Sequence, residues 1–423
     1  MKVYLFLLLI FMSLNVGCTI IGEGGDMYHG AEGAVFENSI SYPPSPNTDD
    51  YGQVCVTQTG TCILKQPIPV GRPCFCTSPY GMANGVVYNP SEERNYGVVE
   101  VYFATDRKQN KSSNIQSMFG ADRGVVQYGI TSVSIPRDHR MGELESPSVL
   151  KLEFREDPEK HVVMLNIKTL NKAEYYKSIS QKIKKSKKKS AFLFIHGYNV
   201  TFEDAARRTA QISYDLAFDG ASVFYSWPSH GSTARYTFDE TNIKWSQKNI
   251  ERFLEDFSER SNAENIYLIA HSMGNRALTR AYISLLQKKP SLKSLFKEII
   301  LAAPDIDAEV FKRDIAPEMV KAGSPVTLYA SSEDIPLRAS RAVHGGYPRA
   351  GDSGEDIILL SGIESIDSTN VKTSFLGHSY YADQRSIISD IFYIFKEGLR
   401  ASERAGLNEK TKPNGGQYWE FKK

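Results

Sequence analysis

A surplus of charge is the first thing this 423-residue sequence lacks: 50 lysines and arginines stand against 49 aspartates and glutamates, a formal net charge of +1. Without a global field of either sign, no nucleic-acid partner is expected. Apolar runs long enough to span a bilayer are missing too, because the one candidate, Val3 to Met12, falls short of the roughly 20 residues that a spanning helix needs. Cysteine is scarce, with five in all and none after Cys76. No internal repeat is evident.

What is present begins with an export signal: a lysine, the short apolar stretch, then small residues around Gly17 and Cys18. Leu14-Asn15-Val16-Gly17-Cys18 resembles a bacterial lipobox, with Asn15 where an aliphatic residue is usual. Cys18 is therefore the expected lipidation site, and a membrane-anchored protein of the cell envelope, facing the periplasm or exterior, the expected localisation. The remaining cysteines, Cys55, Cys62, Cys74 and Cys76, can pair completely. In an exported chain two disulfides are the default, and Cys74 and Cys76 are too close to bridge each other, so each is expected to pair with Cys55 or Cys62. The rival reading, a zinc site, has a spacing that fits no common zinc module.

Composition divides the chain into a leader over 1–18, a Gly-, Pro-, Ser- and Asn-rich tether over 19–50, a disulfide-pinned module over 51–95, a main domain over 96–400 and a C-terminal arm over 401–423. The main domain opens with β-prone runs such as VVEVYFAT, GITSVSIP and HVVMLNIKT. Strand-like and helix-like runs then alternate, which predicts a mostly parallel sheet flanked by helices. The cluster Lys182, Lys184, Lys185, Lys187, Lys188 and Lys189 reads as a solvated helix end, with a basic patch for phosphate or anionic lipid as the alternative. The closing YWEF is expected to pack on the body as part of a loose arm.

One short stretch carries chemistry. In NIYLIAHSMGNRAL, Ser272 follows an apolar strand and precedes a helix, the setting of a nucleophile elbow. Ala270 and Gly274 supply the small residues that close strand–helix approach requires, with Ala in place of the first glycine of G-x-S-x-G. A nucleophilic serine needs a base and an acid, in this fold in the order Ser, Asp or Glu, His. His378, beyond a short strand, is the expected base; His271 should point away from its neighbour Ser272, His196 belongs to an earlier loop, and His344 lies ten residues after Asp334 with no strand between. Asp334, past the strand PVTLYASS, is the expected acid, with Asp305 or Asp307, and Glu333, as alternatives. Asp305 and Asp307 also read as N-caps of the helix that follows. The oxyanion would be held by the amide of Met273 and that of Tyr198 or Asn199, in the loop after FLFI. Trp227, Tyr236 and Asp239 could shape the substrate pocket, although Trp227 is as well explained by packing.

Taken in order, FIHGYN, FYSWPSHG, AHSMGN, LAAPDID, VTLYASSEDIPL with RAGD, and GHSYYAD resemble the bacterial alpha/beta-hydrolase family of uncharacterised esterase- or lipase-like proteins, as does VYFATDR. The resemblance runs from about Val98 to Leu399. It implies an alpha/beta-hydrolase fold and hydrolase activity but no substrate, with Ser272 and His378 matching the family pattern directly and Asp334 as the acid. With the β-rich run as an N-terminal extension, the expectation is a serine hydrolase that cleaves a carboxylic ester through an acyl-enzyme. An ester-type small molecule or a lipid is the expected substrate, and neither metal nor organic cofactor is required. The competing expectation is a non-catalytic envelope lipoprotein that uses the fold as a binding or assembly scaffold.

Overall fold

A computed structural model describes residues 51–57, 60–69, 72–78, 81–88, 95–112, 114–147, 153, 155–371, 385–413 and 415–422. Cys18, the tether and His378 lie outside the described residues. The chain divides into two units, Met1–Arg94 and Asn95–Lys423.

In the first unit β1 (Tyr51–Thr57), β2 (Gly60–Pro69), β3 (Pro73–Ser78) and β4 (Gly81–Tyr88) form an antiparallel sheet in the order β2-β1-β4-β3. Cys55 sits opposite Cys62 across β1 and β2, while Cys74 and Cys76, two residues apart on β3, share one face of their strand. The bridges are Cys55–Cys74 and Cys62–Cys76, within the pairing expected from spacing. With all four sulfurs in disulfides no thiolate remains for a metal, which removes the zinc alternative. A sheet this small buries little apolar surface, so the two bridges supply restraint that a core would otherwise give. Such bridges persist in oxidising compartments such as the periplasm or exterior.

The second unit is built on one 11-stranded sheet in the order β14-β15-β13-β12-β11-β10-β8-β9-β5-β6-β7. Its parallel body consists of β5 (Tyr96–Gln109), β8 (Ser190–Ile195), β9 (Ala221–Ser226), β10 (Asn265–His271), β11 (Phe296–Ala302), β12 (Val326–Ala330), β13 (Ile363–Asp367) and β15 (Gln417–Phe421). Antiparallel β6 (Phe119–Pro136) and β7 (Met164–Leu170) close one edge, and β14 (Leu407–Thr411) the other. The β-rich run after residue 96 is thus the edge of the main sheet. Likewise, the C-terminal segment expected as a loose arm is a hairpin, and β15 extends the sheet beside β13.

The eight helices are α1 (Lys172–Lys185), α2 (Phe202–Asp215), α3 (Tyr236–Arg260), α4 (Gly274–Lys288), α5 (Ala308–Val310), α6 (Ala316–Ala322), α7 (Ile335–Val343) and α8 (Arg385–Glu397) among the described residues. Central strands are buried on both faces, as parallel strands must be when helices cover each side, and β8 reads SAFLFI without one exposed residue. Its pleat divides the core: Ala191, Leu193 and Ile195 join one apolar cluster and Phe192 and Phe194 the other. None of the described helices is long and apolar enough to cross a membrane.

Candidate active site

The turn between β10 and α4 is one of six places in the second unit where a described non-glycine residue takes a positive φ. Ser272 has φ +47°, a left-handed conformation that a serine adopts only where the surroundings enforce it. Three elements do so. Its N–H donates to Ala302 O on β11 (2.9 Å), and its carbonyl accepts from Asp305 N–H (3.2 Å), Asn275 N–H (3.1 Å) and Asn275 Nδ2 (2.9 Å). Asn275, fully buried, also bonds Ala302 O, so one side chain brackets both sides of the turn. Close approach fixes the neighbouring glycines. A Cβ on Gly274 would stand 2.5 Å from His196 O and 2.7 Å from Ile195 O, and one on Gly197 would stand 2.9 Å from Ser272 Cβ. The loop after β8 therefore crosses directly against Ser272.

That loop is held from below. Arg107, buried at 1% exposure, donates from Nε to Ser226 Oγ, from Nη1 to Gly120 O and Ser229 O, and from Nη2 to Val200 O. His196 packs flat on Trp227, whose indole N–H donates to His196 O (2.8 Å). Burial and the nearby Arg107 charge hold the His196 imidazole neutral, well below its ordinary pKa. With Nδ1–H donating to Gly197 O, Nε2 is left to accept from Ser226 Oγ (3.2 Å). Asp239 completes the brace, accepting from Ser229 Oγ, His230 N–H and Asn199 N–H (3.1 Å). Asn199 N–H is thus committed to Asp239, while Tyr198 stands beside the turn with no such bond among the described residues. Met273 begins the first turn of α4, where amides have no intrahelical acceptor and the helix dipole favours a negative charge.

The acid candidates separate by their partners. Asp305, 1% exposed, accepts from Ser340 Oγ (2.6 Å) and Arg349 Nε (2.9 Å) on one oxygen and from Tyr236 OH (2.5 Å) and Arg276 Nη2 (3.2 Å) on the other. Burial disfavours its charge, but Arg276 and Arg349 outweigh burial and hold it below the usual carboxylate range. All four lone-pair sites are filled, leaving none for an imidazole. Asp307 caps α5 through Glu309 and Val310 N–H, the capping role the sequence allowed. Asp334 caps α7 by a single bond from Leu337 N–H (2.8 Å) and has capacity to spare. Burial, with Asp305 and Asp352 nearby, raises its pKa to about 6. Glu333 is exposed.

Of the pocket candidates, Trp227 is fully buried beneath the loop, so it supports the site and does not line it. Tyr236 is tied to Asp305, with its ring edge-on to Tyr198 at 5.3 Å. Burial drives the pKa of His271 down to about 3, and His344 is engaged by Ser340 O (2.7 Å) and Glu240 (2.9 Å). No described histidine bonds Ser272. A cavity of about 440 Å³ lies along α7, lined by Ser332, Arg338, Arg341, Ala342, Asp352 and Ser353 among others. Sequence reasoning missed the roles of Arg107, Asn275, Arg276 and Arg349; Arg107 and Arg349 stood inside VYFATDR and RAGD, but only the fold reveals what they hold.

Residues 171–394 match the family described as "alpha/beta hydrolase of unknown function (DUF900)". No curated protein matches the chain. Among solved structures it is similar to a predicted CIB-like hydrolase from Thermoplasma acidophilum (16% identity, 56% of this chain and 93% of that one, TM-score 0.29). It is also similar to an esterase from Rhizomucor miehei (11%, 73% and 86%, 0.30) and a putative cell surface hydrolase from Lactobacillus plantarum (12%, 51% and 95%, 0.30). At these scores the structural likenesses carry no argument, and the family match, over more than half the chain, carries the assignment.

Proposed function

The chain belongs to this family of alpha/beta hydrolases of unknown function, and from that premise we propose that it is an exported serine hydrolase of carboxylic esters. Ser272 is the nucleophile, His378 the base and Asp334 the acid. The observation that carries the reading is Ser272 itself: a non-glycine residue held at φ +47° between a strand and a helix, with Gly197 against its Cβ.

In the proposed cycle Ser272 Oγ attacks the ester carbonyl as His378 takes its proton. The amides of Met273 and Tyr198 hold the developing oxyanion, and Asp334 orients His378 and stabilises its charged form. His378 returns the proton to the departing alcohol. Water, activated by the same imidazole, then releases the acid from Ser272. Asp305 is a positioning residue in this scheme: its amide bonds the Ser272 carbonyl while its carboxylate binds Ser340 on α7, the helix capped by Asp334. The leader brings the chain out of the cytoplasm, Cys18 carries the lipid and residues 19–50 form the tether.

A series of p-nitrophenyl esters from short to long acyl chains, hydrolysed by the mature protein and by Ser272→Ala and His378→Ala, tests the reading. Loss of most of the rate in both variants is expected, as is labelling of wild-type Ser272 by a fluorophosphonate. Equal rates in all three proteins, with Ser272 unlabelled, would return the scaffold reading.

A further inference from the structure

The lysines that the sequence clusters before β8 are joined in the fold by lysines from distant segments. Lys182, Lys184 and Lys185 end α1, and Lys187 and Lys188 precede β8, all exposed at the amino end of the sheet. Lys293 precedes β11 and Lys297 is its second residue, while Lys396 ends α8. Asn265, the first residue of β10, donates to Lys188 O, and Lys188 Nζ donates to Lys396 O, which ties these segments into one face.

The charge on this face is left over. Lys297 Nζ donates to Ser294 O (2.7 Å) and Lys396 Nζ to Ala217 O (2.8 Å), so carbonyls engage them and no carboxylate does. Among the described residues, none of the eight lysines just named forms an ion pair with a carboxylate. The acids close by are engaged elsewhere: Glu264 pairs with Lys189, Asp219 accepts from Ser186 Oγ and Lys187 N–H, and Glu298, which lines the cleft described next, pairs with Arg400. Between Lys188, Lys297 and Lys396 lies a cleft of about 350 Å³, walled by Tyr267 and Phe395, with Glu397 as its unpaired acid. A net charge of +1 over the whole chain hides this face, because acidic residues elsewhere balance it.

We propose that this lysine face docks on the anionic surface of a lipid bilayer, its cleft receiving a phosphate headgroup. The complementary partner is a dense plane of negative charge, since lysines drawn from three separate segments spread over a face and do not converge on one point. Ser272 lies at the opposite, carboxyl end of the same strands. Docking by the amino ends turns the catalytic edge away from the membrane, and substrate then arrives from the aqueous side.

The test is vesicle co-sedimentation of the mature chain carrying Cys18→Ser, so that no acyl anchor contributes. Vesicles of phosphatidylcholine with about one-third phosphatidylglycerol are compared with phosphatidylcholine alone, at low and high salt. Binding only to the anionic vesicles, lost at high salt, is expected. The triple variant Lys184→Glu, Lys185→Glu, Lys297→Glu should bind at least ~100-fold more weakly, at about one kcal/mol for each lysine. Its ester turnover should equal that of the parent, which shows that it has folded. Equal binding to both vesicle types, or a triple variant that binds as tightly as its parent, overturns the proposal.

Discussion

Replacing Asp334 by asparagine should make the protein more stable and much less active. Half-buried beside Asp305 and Asp352, its carboxyl has a pKa raised by desolvation to about 6 from an ordinary 3.8. A raised carboxyl pKa means that the folded state holds this proton more tightly than the unfolded one. Above pH 6 the carboxylate is therefore charged in the fold at a cost, and the gap corresponds to ~3 kcal/mol. Below about pH 3.8 both states are protonated and the cost vanishes. Asparagine keeps the N-cap bond from Leu337 N–H, since Asn and Asp cap almost equally well, so nothing structural is lost. Urea unfolding should accordingly show Asp334→Asn more stable than wild type by up to ~3 kcal/mol at pH 8, with the gain shrinking as pH falls towards 4. Turnover of a p-nitrophenyl ester should drop by on the order of 10⁴, the loss seen when a triad acid becomes an amide. A variant less stable than wild type at pH 8, or a gain indifferent to pH, refutes the desolvation argument; turnover within tenfold of wild type refutes the acid assignment.

Gly197→Ala places a methyl 2.9 Å from Ser272 Cβ, so the loop must move off Ser272; under the proposed mechanism kcat should fall by on the order of 10² with KM little changed, measured on the same esters. Arg107→Met removes the donor shared by the buried Ser229 carbonyl and the half-buried Gly120 and Val200 carbonyls, and unfolding should show a loss of ~3 kcal/mol, with activity lost through the loop that Arg107 braces. His139 sits between Glu145 Oε2 and Asp215 Oδ1, each at 2.9 Å. Burial works against its charge, but the two carboxylates outweigh burial and raise its pKa to about 9. The stability it contributes is complete below about pH 6.5 and disappears as pH rises through 9. Wild type should therefore weaken by up to ~3 kcal/mol between pH 7 and 10 in urea unfolding, and a flat profile there would sink the argument.

Short continuous apolar runs and one clear helical period were legible from sequence: SAFLFI, NIYLIA and EIILA became the central strands, and FEDAARRTAQISYD became α2, opened by a Thr201–Asp204 capping box. The C-terminal strands were harder to read. β14 and β15 lie at the sheet edge with mostly polar or half-buried residues, so LNEKT carries almost no period-2 signal and only its pairing makes it a strand.

The same distinction runs through the site. An elbow is a local object, with strand, turn and helix within a few residues, and Ser272, Ala270 and Gly274 announce it by size alone. Asp305 is the opposite case. Its position after a strand suits a triad acid as well as Asp334 does, and no spacing rule separates the two. They are separated by Arg276 on α4, Arg349 in the loop before β13, Tyr236 on α3 and Ser340 on α7, four donors from four parts of the chain that fill the carboxylate of Asp305 and leave that of Asp334 open. A carboxylate saturated by two guanidinium groups and two hydroxyls is strongly ionised and geometrically fixed, which suits a brace between the Ser272 turn and α7. A carboxylate with one backbone partner, partly desolvated and raised to about 6, is poised to take a proton donor when one is offered.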